Sequence, residues 1–358
     1  MPRAPARPTI SDVASEAGVS KGTVSAVLNG KPTVKESTRK RVADVIARLN
    51  YRPSGPARLR VAGPHRRSIG LVIKEMDNPY YIEVAAGALA RGREAGYTVI
   101  VTSSEGDHAL ERTAVELLVE RGVDGLIITP VLGDDADLSH LFELTRRNVP
   151  FVLLESITGV PASLIDVDNE EAMREVVRTL IDAGHTRIVH FAGPPYSMHS
   201  RERIRGMERA FGASPLAFSD AMVRPAGAHL EDGYRAGMAA FRGVAASRRP
   251  TAVTCYNDLV ALGLLRALDE LGLRVPEDVS VVGFDDLALL DYMSPGLSSV
   301  HVPKEEMGAR AAELLIRHIE ARKRIAPVRV RLESRFIARR SVARCPAPAA
   351  SRGARKRA

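Results

Sequence analysis

Tryptophan is absent from the 358 residues, aromatic side chains make up only 4%, and cysteine occurs twice, at Cys255 and Cys345. Two cysteines cannot build a small disulfide scaffold, nor by themselves a metal-ligand cluster. Cys255 sits in an apolar run, where a buried thiol is the expectation. No apolar run approaches the roughly 18 residues of a membrane span. The arginines of the first eight residues are followed by Thr9, Ser11, Asp12 and Glu16 instead of the apolar stretch of an export signal. A cytoplasmic chain without membrane contact is expected. Also missing are G-x-S-x-G, H-E-x-x-H, P-loop and G-x-G-x-x-G patterns, and His185, His190, His199 and His301 are scattered. Neither an enzyme, a resident cofactor nor a metal site is expected.

What is present is the balance of a globular chain, 45% hydrophobic and 26% charged, long enough for two or three domains. The net charge of +8 is unevenly spread. Residues 1–67 hold 14 Lys/Arg against 4 Asp/Glu, residues 68–338 hold 30 against 39, and residues 339–358 hold 7 basic side chains and no acid. A basic module precedes a mildly acidic body, and concentrated positive charge points to nucleic acid.

The module resolves into three amphipathic segments. Thr9 with Asp12 three residues on opens a helix whose apolar side is Ile10, Val13, Ala14 and Ala17, and Gly18 stops it. Ser20 caps a second helix, with Val24, Val27 and Leu28 on one face and Asn29-Gly30 after it. The intervening Gly18-Val19-Ser20 has the length and turn residue of a helix-turn-helix. A third helix, opening near Ser37-Thr38, aligns Val42, Val45, Ile46 and Leu49. The second helix of such a motif enters the major groove, which turns Ser20, Lys21, Thr23 and Ser25 toward DNA. Thr9, Thr38, Arg39, Asn50 and Tyr51 join this DNA-facing set, the last four as phosphate contacts from the third helix and its end.

Residues 53–67 are rich in proline, glycine and arginine with no apolar period, and read as a linker. From Ser68 to residue 342 the texture changes to nearly continuous apolar runs, SIGLVI, YTVIVT, DGLIIT, FVLLE, RIVHFAG, AVTCYN, VSVVGFD and SSVHV, separated by helical stretches. Parallel sheets buried on both faces produce that pattern. The predicted fold is a small all-α helix-turn-helix domain (1–52), a hinge (53–67) and an α/β core of two doubly wound parallel-sheet lobes, dividing between Glu155 and Asp168. Residues 343–358 form a basic, low-complexity tail, expected to be disordered.

The runs TISDVASEAGVSKGTVSAVLNG and RVADVIARLNYRP, followed by DNPYY, RGVDGLIITP, GHTRIVHFAG, RERIRG, NDLVALG and VPEDVSVVGFDD, closely resemble the lactose/galactose repressor family of bacterial transcription regulators. The resemblance spans about residues 9–340. It implies a homodimer on a palindromic double-stranded DNA operator, with a periplasmic-binding-protein-like core that binds a small effector, such as a sugar or sugar derivative, between its lobes. It also assigns Ser20, Lys21, Gly22, Thr23, Ser25, Ala26 and Asn29 to the recognition helix and its start. Gly22 and Ala26 depart from the longer side chains usual there, which concentrates base readout on Lys21, Ser20 and Thr23. In the hinge the usual minor-groove leucine comes one place early, making Leu59 the candidate wedge and Arg58 a backbone contact.

For the cleft the resemblance implies Asp77, Asn78, Tyr81, Glu155, Ser197, His199, Arg203, Asn257 and Asp285, with Arg203 and Asp285 as the strongest pair. Carboxylate, amide and guanidinium groups together suit a polyhydroxylated ligand. Ala228 stands where an aromatic is usual, leaving Tyr80 or Tyr81 as stacking faces, and Lys74 adds a cation that points toward an anionic sugar derivative. An effector-independent architectural DNA binder and a plain solute-binding protein are the competing readings; the helix-turn-helix opposes the second and the polar cleft residues oppose the first.

Overall fold

The computed structural model describes residues 8–28, 33–49, 51, 67–133, 136–294, 296–321 and 326–345. Asn29, Asn50, Arg58, Leu59 and all of the hinge except Arg67 lie outside these residues.

The basic module is a three-helix unit, α1 (Ile10–Glu16), α2 (Lys21–Leu28) and α3 (Glu36–Arg48). Its first cap forms as the sequence predicts: the Asp12 carboxylate accepts the Thr9 amide at 2.6 Å and the Thr9 hydroxyl at 2.7 Å. Gly18 takes a φ of +62°, and the Ser20 hydroxyl then accepts the Thr23 amide at 3.0 Å to cap α2. Val13, Val24, Leu28, Val42 and Val45 interlock in the core, and Arg48 ties α3 to Glu16 of α1 at 2.7 Å.

The body begins at β1 (Ser68–Ile73) and alternates strand with helix: α4 (Pro79–Glu94), β2 (Thr98–Ser103), α5 (His108–Arg121), β3 (Gly125–Ile128), α6 (Ser139–Arg146), β4 (Phe151–Leu153) and β5 (Ser163–Val167). The second lobe follows as α7 (Asn169–Asp182), β6 (Ile188–Ala192), α8 (Met198–Gly212), β7 (Val223–Pro225), α9 (Leu230–Phe241), β8 (Ala252–Cys255), α10 (Asp258–Glu270) and β9 (Ser280–Val282). After them come β10 (Ser299–His301), α11 (Lys304–Glu320), β11 (Arg329–Leu332) and β12 (Arg335–Ile337).

Two parallel sheets result, ordered β11-β5-β4-β3-β1-β2 and β7-β6-β8-β9, with β10 and β12 as a small antiparallel pair. Both sheets place their second strand outside their first, the doubly wound arrangement. The chain first changes lobe after Val167, at the end of the expected window, but β5 itself belongs to the first lobe. It returns there through α11, which packs on α4, contributes β11 to the first sheet, and leaves again to β12. A single break is therefore corrected to three crossings.

The packing of α11 on α4 is backbone on backbone. A Cβ on Gly87 would lie 1.8 Å from the Glu305 carbonyl oxygen, and one on Gly308 would lie 1.9 Å from that of Val84. The start of the expected disordered tail is also corrected. The Ala343 amide donates to Ser280 Oγ at 3.1 Å and the Cys345 amide donates to the Ala183 carbonyl at 2.9 Å, which pins this stretch to the second lobe. Cys255 is fully buried, as its apolar run predicts.

Candidate nucleic-acid interface and effector cleft

On the helical module, Thr9, Ser20, Lys21 and Gly22 are exposed, while Thr23, Ser25, Ala26, Thr38, Arg39 and Tyr51 are partly so. Val24 and Val27 are turned into the core. The hydroxyls of Ser20 and Thr23 lie 2.9 Å apart, a pair of polar groups beside the start of α2. Arg39 has Glu36 at 3.5 Å on its own helix, and Tyr51 packs against the module's core. The surface start of α2 can thus present Lys21 and hydroxyls to a groove, held by caps that also orient its amides.

The body carries a cavity of about 290 Å³ where the carboxyl ends of both sheets face each other. From the first lobe the turn after β1 supplies Lys74, Glu75 and Asn78, and the first turn of α4 supplies Tyr80 and Tyr81. Segments after β3 and β4 supply Thr129 and Glu155, β5 itself supplies Asp166, and the start of α7 supplies Asn169. The second lobe answers with Tyr196, Ser197, His199 and Arg203 after β6, Tyr256 and Asn257 after β8, and Asp285 after β9. Ligands collect at such strand ends because loops and helix N-termini there point polar groups outward.

Three of the predicted residues are helix caps as well as cavity wall. Asn78 accepts the Tyr80 amide at 3.0 Å, and Ser197 heads α8. Asn257 accepts the Val260 amide at 2.9 Å while its own amide donates to the Ala228 carbonyl at 2.8 Å. Asp77 does not join them: it precedes the cap, is exposed, and lies outside the cavity lining, so its predicted role is corrected.

Glu155 is the junction between lobes. Its carboxylate takes Lys74 Nζ at 2.9 Å from its own lobe, and the Ser197 hydroxyl at 2.7 Å and Met198 amide at 3.0 Å from the other. Burial opposes its charge, but Lys74 and His199 and the donated hydrogen bonds hold its pKa below the usual carboxylate range. Burial likewise opposes the Lys74 ammonium, and Glu155 more than reverses that, raising its pKa. Lys74 is therefore already neutralised by a partner, which removes the ground for an anionic ligand. His199 lies 3.2 Å from Asp166 Oδ1; burial works against its charge, yet Glu155 and Asp166 raise its pKa.

Arg203 and Asp285 line the same cavity, as the strongest predicted pair, without a direct ion pair between them. Arg203 donates to Asn169 Oδ1 at 3.1 Å and to the Tyr256 carbonyl, and its guanidinium covers the Phe284 ring at 3.5 Å. Asp285 is buried in the cavity wall, and among the described residues none forms a hydrogen bond with its carboxylate. Burial pushes its pKa up to about 6, against the lowering influence of Arg203 and Lys304. A buried carboxylate left with free acceptors is suited to receive hydroxyl donors. The aromatic wall is larger than the sequence reading allowed, since Tyr196 and Tyr256 join Tyr80 and Tyr81. Asp166 was missed because it lies on β5, which carried no strand signal; Tyr256 was legible only as the neighbour of Asn257.

Comparison with known proteins gives a consistent result. Residues 9–54 match bacterial regulatory proteins of the lacI family, and residues 177–342 match a periplasmic binding protein-like domain. The HTH-type transcriptional repressor PurR of Aliivibrio fischeri (strain MJ11) is 35% identical over 321 residues, covering 87% of this chain and 92% of that protein. PurR of Vibrio cholerae serotype O1 (strain M66-2) is 35% identical over 323 residues, at 87% and 91% coverage. Among solved structures, the transcriptional regulator CelR-cellobiose complex superposes with a TM-score of 0.67 at 30% identity, covering 94% of this chain and 100% of that one. The lac repressor dimer bound to operator and the anti-inducer ONPF gives 0.66 at 28% identity, with the same coverage.

Proposed function

The chain belongs to the lacI family of bacterial regulatory proteins and is a DNA-binding transcriptional repressor, not an enzyme, and from that premise we propose that a neutral sugar in the interlobe cleft controls its affinity for a palindromic operator. The observation that carries the ligand class is the buried Asp285 carboxylate with open acceptors, set beside Arg203 while Lys74 is neutralised by Glu155. Hydroxyl groups satisfy such acceptors without adding negative charge to a cavity whose lining already sets Glu75, Glu105, Glu155, Asp166 and Asp285 against Lys74 and Arg203. The relative solved with cellobiose supports the same chemistry.

In this reading α2 reads the major groove through Lys21, Ser20 and Thr23, with Thr38 and Arg39 on phosphate. Thr9, Ser25, Ala26, Gly22, Asn29, Asn50 and Tyr51 complete the contact surface, and Arg58 and Leu59 serve the hinge. The repressor acts as a homodimer. Ile82, Ala86 and Leu89 form an exposed apolar stripe on α4 beside exposed Ile100 of edge strand β2, and Tyr292 of the second lobe is 92% exposed. Exposed apolar side chains in a row on one face call for a partner surface. A sugar that binds one lobe arrangement better shifts the dimer between arrangements, and with it the spacing of the two DNA-binding modules.

Four tyrosines on the cleft wall favour a second reading, a planar heterocycle stacked on them, and PurR relatives make it worth a direct comparison. The experiment is selection of bound DNA from a random pool by the full-length protein, then titration of the selected site against cellobiose, ribose, glucuronate and hypoxanthine. A palindrome whose binding responds to a neutral sugar is expected. A response to hypoxanthine alone would replace the sugar with the heterocycle, and a response to glucuronate alone would restore the anionic ligand.

A further inference from the structure

Lys304 is the first residue of α11 and is almost completely buried. A cation there is doubly disfavoured, by desolvation and by the positive end of the helix dipole. It is held by what surrounds it: Nζ donates to the carbonyls of Asp285 at 2.6 Å, Asp286 at 2.9 Å and Val302 at 3.4 Å, and lies 3.3 Å from the Glu83 carboxylate. Asp285 and Asp286 have φ values of +111° and +57°, where a side-chain-bearing residue is strained and persists only if its surroundings fix it. Lys304 binds both carbonyls, while the amides of the turn donate to the Val300 carbonyl at 2.9 Å and the Ser299 hydroxyl at 3.1 Å. The far side of the ammonium reaches Glu83 on α4, next to exposed Ile82, and α4 is locked to α11 by the glycine contacts at Gly87 and Gly308.

We propose that Lys304 and Glu83 form the link through which occupancy of the Asp285 carboxylate is passed to α4 and its exposed apolar stripe. Lys304 is a positioning residue: it touches no cavity space and acts through the Asp285–Asp286 turn. When a ligand hydroxyl engages Asp285, the strained turn shifts against Lys304, and the packed pair α4 and α11 moves as one body because their backbones touch. This rests on the cleft being the effector site, but its test needs no effector.

The test is amide hydrogen exchange of the full-length protein, followed by mass spectrometry, in the wild type, Asp285→Asn, Glu83→Gln and the double variant. Asp285→Asn alters the charge at the cleft end of the link. Glu83→Gln cuts the other end at a partly exposed position, whereas Lys304→Met would strand three carbonyls and endanger the fold. Asp285→Asn is expected to change exchange across Pro79–Glu94 by about two- to thirtyfold, the range of measured couplings along such contacts. In the Glu83→Gln background the same change should vanish. Unchanged exchange in α4 on Asp285→Asn, or an equal change with and without Glu83, would overturn the proposal. Either result would leave the sugar reading to its own titration.

Discussion

At the residue scale, Asp285 concentrates the trade between stability and binding. Its pKa in the fold, about 6, exceeds the ordinary 3.8, so between those values the folded chain retains a proton that the unfolded chain has released. Stability conferred by this group is present at low pH and is lost as pH rises through 6. Asp285→Asn should therefore stabilise the ligand-free protein by about 1–3 kcal/mol at pH 7.5, with the gain shrinking toward pH 4.5. Urea unfolding at the two pH values measures it, and an equal gap at both would show that the carboxylate bears no burial penalty. On the DNA side, Lys21→Ala should change the base preference of selected sites, while Arg39→Ala should weaken all sequences alike. Sequence selection with each variant separates the two, and a uniform loss for Lys21→Ala would deny it a base-reading role. The cleft residues were legible through the family resemblance and its motifs, and the structure shows why three of them sit there: Asn78, Ser197 and Asn257 cap helices where a strand gives way to a helix. Asp77, carried over with the same motif, stands one residue before the cap, exposed and outside the cavity lining.

At the element scale, the strands that were legible are the apolar ones. SIGLVI, RIVHFAG and AVTCYN are interior strands, flanked on both sides and buried on both faces, and a continuous Val/Ile run is enough to mark them. β7, β11 and β12 carry Arg224, Arg329, Arg331 and Arg335 and pair at sheet edges or in a two-stranded ribbon, where half of each strand meets water. Their sequences resemble loops, which is why the second and third lobe crossings were not foreseen. Glycine tells a similar story between elements. Gly308→Ala must force α11 away from Val84 and should destabilise by about 1–3 kcal/mol. Gly212→Ala, with no neighbour within 4 Å, should be neutral or stabilise by about 0.4–1 kcal/mol. Thermal unfolding of the two variants checks the pair, and comparable losses would contradict the close α4–α11 contact.

At the scale of the whole molecule, the proposed function requires two features to cooperate: a dimer that holds two DNA-binding modules, and a cleft that responds to a ligand. Leu89→Glu places a charge in the exposed stripe of α4 and should shift the protein from dimer to monomer in sedimentation. Operator affinity should fall with it, because two half-sites would no longer be bound together. A dimer that survives this change would direct attention to the second-lobe surface around Tyr292. The central claim is that cleft and operator are thermodynamically linked, and linkage is reciprocal: whatever factor the sugar imposes on operator binding, the operator imposes on sugar binding. The decisive measurement is calorimetric titration of the responding sugar into the full-length protein, alone and saturated with its selected operator. The account predicts that the sugar's Kd differs between the two titrations by about 5–150-fold, equal to the operator shift. The same Kd in both titrations would contradict it, leaving a protein that binds sugar and DNA without connecting them.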